Sequence, residues 1–130
     1  MNLTMKTKLV YAIVSEENDC FLEQAYVSMS SARHVMPDVF ITLVMDSRTA
    51  ENLKGFRKTE AEFADEIVVV ELDPALSAKK RSRLLKTSIR NVVDGDILYI
   101  DSDTLVVKDL SESFFRKKYS IFVIYRMFFF

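Results

Sequence analysis

Four short runs of apolar, largely β-branched residues punctuate the chain, and each gives way to a polar or acidic group. Lys8 to Ser15 (KLVYAIVS) stops at Glu16-Glu17-Asn18-Asp19, and Val39 to Met45 (VFITLVM) closes on Asp46. Glu66 to Leu72 (EIVVVEL) forms the third run, and DILYI, Asp96 to Ile100, leads straight into Asp101. Runs of this length, rich in Val and Ile, predict buried strands. Between the first two, Phe21, Leu22, Ala25, Val27, Met29 and Ala32 recur at helical spacings. They predict a helix of about four turns, ended by the segment from His34 to Pro37. Arg48 to Lys58 has helical composition, and Ser77 to Val93 (SAKKRSRLLKTSIRNVV) predicts a helix with Leu85, Ile89 and Val92 on one side, stopped by Asp94-Gly95.

Strands that alternate with helices, each strand apolar throughout, are the mark of βαβ units in a parallel sheet covered on both faces. The predicted class is therefore α/β, doubly wound, with a mostly parallel sheet and helices on both faces. Ligands of such sheets bind beyond the carboxyl ends of the strands. That directs attention to Ser15 to Asp19, to Asp46, and to Asp101 to Asp103, the last of these following a strand expected to be central.

Composition narrows the field. The 130 residues suit one domain with a real core, spanning residues 1–130. Lys plus Arg number 18 against 19 Asp plus Glu, so the net charge of −1 does not indicate a strongly polyanion-binding surface, and no nucleic-acid partner is expected. Cys20 stands alone and cannot close an intramolecular disulfide, and the first residues lack a signal-peptide pattern, so a cytoplasmic location is expected. No segment reaches the roughly 18 apolar residues of a transmembrane helix. The end of the chain, IFVIYRMFFF, is nonetheless apolar, with Ser120 to Tyr125 reading as a strand; exposed, it is a surface for self-association. Only two glycines, Gly55 and Gly95, occur, which excludes the Walker phosphate loop and the G-x-G-x-x-G dinucleotide loop.

The candidate chemistry lies in ILYIDSDTLVVKDL, where Asp101 and Asp103 flank Ser102. Two carboxylates one residue apart at a strand end can converge on a divalent cation, whose charge offsets their repulsion; oxygen ligands select Mg²⁺ or Mn²⁺. Such a metal leaves positions for a diphosphate and stabilises a departing phosphate. The same spacing also arises in ordinary turns, as Asp94-Gly95-Asp96 illustrates. The preceding helix adds Arg83, Lys86 and Arg90 at i, i+3 and i+7, a cationic face roughly opposite Leu85, Ile89 and Val92. Such a face can grip phosphate, and can equally be a solvated surface.

Together these residues resemble the nucleotide-diphospho-sugar transferases of the GT-A fold, most closely those of glycosyltransferase family 8 and the glycogenin type. SRLLKTSIRNVVDGDILYIDSDTLVVKDL is similar to the family's Arg-Leu helix followed by a strand ending in D-x-D, and the resemblance extends over nearly all of the chain to about Leu110. It implies a GT-A, Rossmann-like half that binds a UDP-sugar donor with Mn²⁺ or Mg²⁺ and serves transfer of a hexose to a carbohydrate acceptor, leaning toward retention. By the same resemblance, Asp103 binds the metal directly and Asp101 contacts the metal and the ribose side of the donor. Arg83 and Lys86 reach the diphosphate, Ala12, Ile13, Val14 and Ser15 border the uracil, and Ser102 and Asn18 belong to the donor site. Asn18 and Phe21 stand where the family has Asp and Tyr, which keeps a stacking surface and removes a phenolic hydroxyl.

The family continues beyond D-x-D into an acceptor-binding half with a metal-binding histidine. The single histidine here, His34, falls at the end of the first predicted helix and is expected to be structural, so a donor-binding half without its acceptor half is expected. With two carboxylates as the only protein ligands, metal affinity without nucleotide should be weak. A catalytically inactive nucleotide-binding domain is the alternative. A haloacid-dehalogenase-type phosphatase would want Thr or Val where Leu105 stands, and its motif on the first strand. A receiver module would need Asp46 and Lys117 or Lys118 on strands in a different order.

Overall fold

A computed structural model of the chain describes residues 7–110 and 124–126. The elements run β1 (Lys8–Ile13), α1 (Phe21–Val35), β2 (Phe40–Asp46), α2 (Ser47–Glu51), α3 (Phe56–Ala61), β3 (Glu66–Val70), α4 (Ala78–Val92), β4 (Ile97–Tyr99), β5 (Thr104–Val106) and β6 (Ile124–Arg126). Four strands form one sheet in the order β3-β2-β1-β4, every neighbouring pair parallel; β5 and β6 form a separate antiparallel pair. The architecture is α/β, as the alternation of elements requires.

Successive residues of a strand point to opposite faces, so a strand covered on both sides must be apolar at every position. β1 meets this condition. Leu9, Tyr11 and Ile13 join a core with Leu22, Ala25, Met29 and Ala32 of α1. Val10, Ala12 and Val14 join a second core with Leu85 and Ile89 of α4. The sheet is thus wound on both faces, with α1 on one and α4 on the other. Each helix buries residues spaced three or four apart, and α4 starts where the Ser77 side chain accepts a hydrogen bond from the Lys80 backbone N–H at 3.2 Å.

Three expectations meet the structure differently. Among the described residues β4 pairs only with β1, so the expected central position of the strand leading to Asp101 is not seen there, and β1 is interior. β3 occupies the opposite edge and alternates between half-buried and exposed, with Ile67 37% and Val69 46% exposed, because only one neighbouring strand and part of one helix layer cover it. The helical stretch Arg48 to Lys58 is broken into α2 and α3 at Gly55, whose φ of +57° and ψ of −128° suit glycine alone. The strand expected over Ser120 to Tyr125 lies mostly outside the described residues; its end coincides with β6, which pairs Tyr125 with Leu105 and Ile124 with Val106.

Candidate functional site

β1 has β2 on one side and β4 on the other; the chain runs outward from β1 to β2 and β3, then crosses back through α4 to place β4 on the other side of β1. At such a switch point the connecting loops diverge and leave a crevice beyond the strand ends. A cavity of about 550 Å³ opens there. Its walls are the end of β1 (Ala12, Ile13, Val14), the segment after β4 (Asp101, Ser102, Asp103) with Tyr99, the start of α1 (Phe21, Gln24), and one flank of α4. That flank carries Lys79, Ser82, Arg83 and Lys86 at i, i+3, i+4 and i+7.

The turn that carries the two aspartates is tied down by a chain of hydroxyls. The Thr104 hydroxyl donates to the Asp101 carbonyl at 2.7 Å and lies 3.1 Å from the Ser28 hydroxyl, which in turn lies 2.9 Å from the Tyr11 phenol. One turn further along α1, Ser31 Oγ accepts the Val106 backbone N–H at 2.8 Å. The serines of α1 thereby fasten the turn after β4 to the helix on the far side of the sheet. Buried hydroxyls paired this way avoid the cost of unsatisfied polar groups and fix one geometry.

Asp101 and Asp103 act on a common neighbour. The Tyr99 phenol is pushed well above its ordinary pKa by burial first, and then by the charge and hydrogen bond of Asp101 and by the charge of Asp103. Two carboxylates that bear on one phenol at the rim of one cavity could offer oxygen donors of the kind that Mg²⁺ or Mn²⁺ takes. No group of three or more His, Cys, Asp or Glu side chains poised for a metal occurs among the described residues. Lys79, Arg83 and Lys86 face this pair, so the cavity walls carry an excess of one positive charge. A divalent cation would raise that excess to three, which favours an anionic ligand.

Of the residues singled out from the sequence, Ala12, Ile13, Val14, Arg83, Lys86, Asp101, Ser102 and Asp103 come together around this cavity. Ser15 and Asn18 are not among its lining residues. Ser15 is buried, donates to Asp19 Oδ1 at 2.5 Å, and accepts from Arg57 and from the Leu22 backbone N–H. Asp19 also accepts the backbone N–H groups of Glu16 and Phe21, at 2.6 and 3.1 Å, so the acidic loop after β1 shapes the start of α1. Arg90, one turn beyond Lys86, does not line the cavity, and the exposed His34 lies at the end of α1.

Three features escaped the sequence reading. Lys79 and Ser82 belong to the same helical flank as Arg83 and were legible from spacing; Tyr99 precedes Asp101 by two residues and so shares its side of the strand. The third is Arg81, whose side chain is 1% exposed. It reaches under the strand ends to Asp46 Oδ2 at 2.6 Å and to Glu16 Oε1 at 2.9 Å, while its Nε donates to the Leu76 carbonyl at 3.2 Å. Asp46, fully buried, also caps α2 by accepting from the Thr49 backbone N–H and hydroxyl. Within Lys79-Lys80-Arg81-Ser82-Arg83 nothing local separates the buried cation from its exposed neighbours.

No protein-family profile matches this chain, and no curated protein does. Among solved structures, the chain is similar to crystal structures of the galactosyltransferase LgtC. One is a complex with donor and acceptor sugar analogs, at 18% identity and a TM-score of 0.48 over 81% of this chain and 41% of that one. Another, an active-site mutant of LgtC, matches at the same identity and TM-score over 40% of its length. The chain thus spans about two fifths of the structures it matches. No helix among the described residues is long and apolar enough to cross a membrane.

Proposed function

We propose that the chain is the donor-binding part of a glycosyltransferase, one that holds a UDP-sugar with Mn²⁺ or Mg²⁺ for transfer of a hexose to a carbohydrate acceptor. The observation that carries the reading is the cavity at the strand ends, into which separate parts of the sequence bring two carboxylates, three cations, two aromatic rings and the apolar tip of β1.

In this reading Asp101 and Asp103 hold the metal, which when bound supplies Lewis acidity toward the leaving diphosphate. Arg83, Lys86 and Lys79 neutralise the phosphate oxygens, Arg83 with the option of a two-pronged grip. Phe21 and the apolar tip of β1 offer a surface on which a base can stack. Tyr99, kept protonated by burial and by Asp101, donates to that carboxylate and orients it. The site binds and neutralises; it contains no group assigned to proton transfer.

Calorimetric titration with UDP, with and without Mn²⁺, tests the reading on the wild type and on Asp103→Ala. The expected result is binding that strengthens at least tenfold with Mn²⁺ and loses that gain in the variant, roughly the worth of one charge-assisted ligand. Equal affinities with and without metal, indifferent to the substitution, would remove the proposed site.

A further inference from the structure

A second cavity, of about 600 Å³, lies between α1 and α3 and is lined by Tyr26, Phe56, Thr59, Glu60, Glu62 and Phe63. It shares no residue with the strand-end cavity and owes nothing to the donor-binding reading. Three of its six lining residues are aromatic and two are carboxylates, and no Lys or Arg lines it. Phe56 is 87% exposed, an arrangement that leaves a large apolar ring in water. The Tyr26 and Phe63 rings meet edge to face, centroids 5.5 Å apart and planes at 69°.

The charge around this cavity is unbalanced. The Glu60 pKa is raised by burial and by the neighbouring Glu23, with which it shares a hydrogen bond; only Arg57 opposes. The Arg57 guanidinium is already engaged by Ser15, Glu23 and the Glu16 carbonyl. Glu62 adds a further exposed carboxylate. The cluster also accepts a cation on a ring face, since the Arg33 guanidinium sits 4.8 Å from the Phe63 centroid while pairing with Asp65 at 2.6 Å. A neutral sugar could stack on these rings and would leave the Glu23–Glu60 repulsion as it is. An anion would add to it. A purely apolar ligand would strip water from two carboxylates without compensation. An organic cation satisfies both halves of the site, as ring faces attract alkylated ammonium groups electrostatically.

We infer that the Tyr26, Phe56 and Phe63 cavity binds an alkylated ammonium head group, the rings supplying π faces and Glu60 and Glu62 the counter-charge. The head group can belong to a free small molecule or to a methylated lysine side chain. Nuclear magnetic resonance titration of the full chain separates them. The probes are choline, a peptide bearing trimethyllysine, and the uncharged isostere of choline in which a tert-butyl group replaces the trimethylammonium.

Saturable shifts of the α1 and α3 amides are expected with choline or with the peptide, and the one that binds identifies the source. Phe56→Ala, at a position too exposed to affect folding, and Glu60→Gln should each weaken binding, by roughly three- to thirtyfold for the loss of one ring face. The inference is overturned if neither cation binds, if the uncharged isostere binds equally well, or if both substitutions leave the affinity unchanged.

Discussion

Removing Arg81 is expected to be among the most damaging single changes in this chain. Its side chain is 1% exposed and that of its partner Asp46 is 0% exposed, with 2.6 Å between them. In Arg81→Met the aliphatic stem is replaced by one of similar bulk, while the Asp46 carboxylate stays in place with only the Thr49 N–H and hydroxyl for company. Breaking a buried ion pair from one side costs about 3–5 kcal/mol, because a desolvated charge is left without its counter-charge. Against a typical domain stability of about 5–15 kcal/mol, the variant should fold with a much reduced midpoint.

Asp46→Asn should cost less. The amide oxygen can still accept from Thr49, and Arg81 keeps Glu16, which is 40% exposed, and the Leu76 carbonyl. In the double variant no uncompensated buried charge remains, so its loss should fall short of the sum of the two single losses by about 0.5–3 kcal/mol. Urea denaturation followed by circular dichroism measures all three against the wild type, with similar slopes as the condition for comparing midpoints. A loss below about 1 kcal/mol for Arg81→Met, or strict additivity of the singles, would refute the view that this pair carries its own stability.

Two further outcomes follow from the same geometry. Burial holds the Tyr11 phenol at about 12 against its ordinary 10, outweighing the Ser28 hydrogen bond. Below pH 10 both folded and unfolded phenols are protonated and the shift has no effect; between 10 and 12 only the unfolded one ionises, so stability falls by about 3 kcal/mol over that window. Tyr99 adds in the same direction, and Tyr11→Phe should flatten the Tyr11 share of an alkaline denaturation series; an unchanged slope would contradict it. Gly55→Ala meets no steric obstacle within 4 Å, so any effect reports the φ of +57° alone, a cost of about 1–3 kcal/mol in thermal or chemical denaturation. An equally stable variant would mean that the break between α2 and α3 relaxes freely.

Much of the site could be read without coordinates. Aspartates after a strand, and cations spaced by three on the helix before it, declare themselves through periodicity, which is a property of the local backbone. That is why Asp101, Asp103, Arg83 and Lys86 were legible, and why Lys79 was within reach of the same reasoning. Ser15 is not among the residues that line the cavity, and its bonds have a physical reason. A hydroxyl at a strand tip looks available for a ligand, yet Arg57, from a helix some forty positions on, converts it into a bridge within the loop.

The sequence by itself determined the alternation of elements, the α/β class and the residues at the ends of the strands, because apolar runs and helical spacing act over a few neighbours. Tertiary structure alone decided the rest. It placed β1 between β2 and β4, since strand order depends on which crossovers pack best and leaves no local trace. It chose Arg81, among five consecutive polar residues, as the one to be buried, because only there does the helix turn a guanidinium toward the carboxylate at the end of β2. It also gathered Tyr26, Phe56 and Phe63 around one space, by laying α3 against α1 across a long stretch of chain.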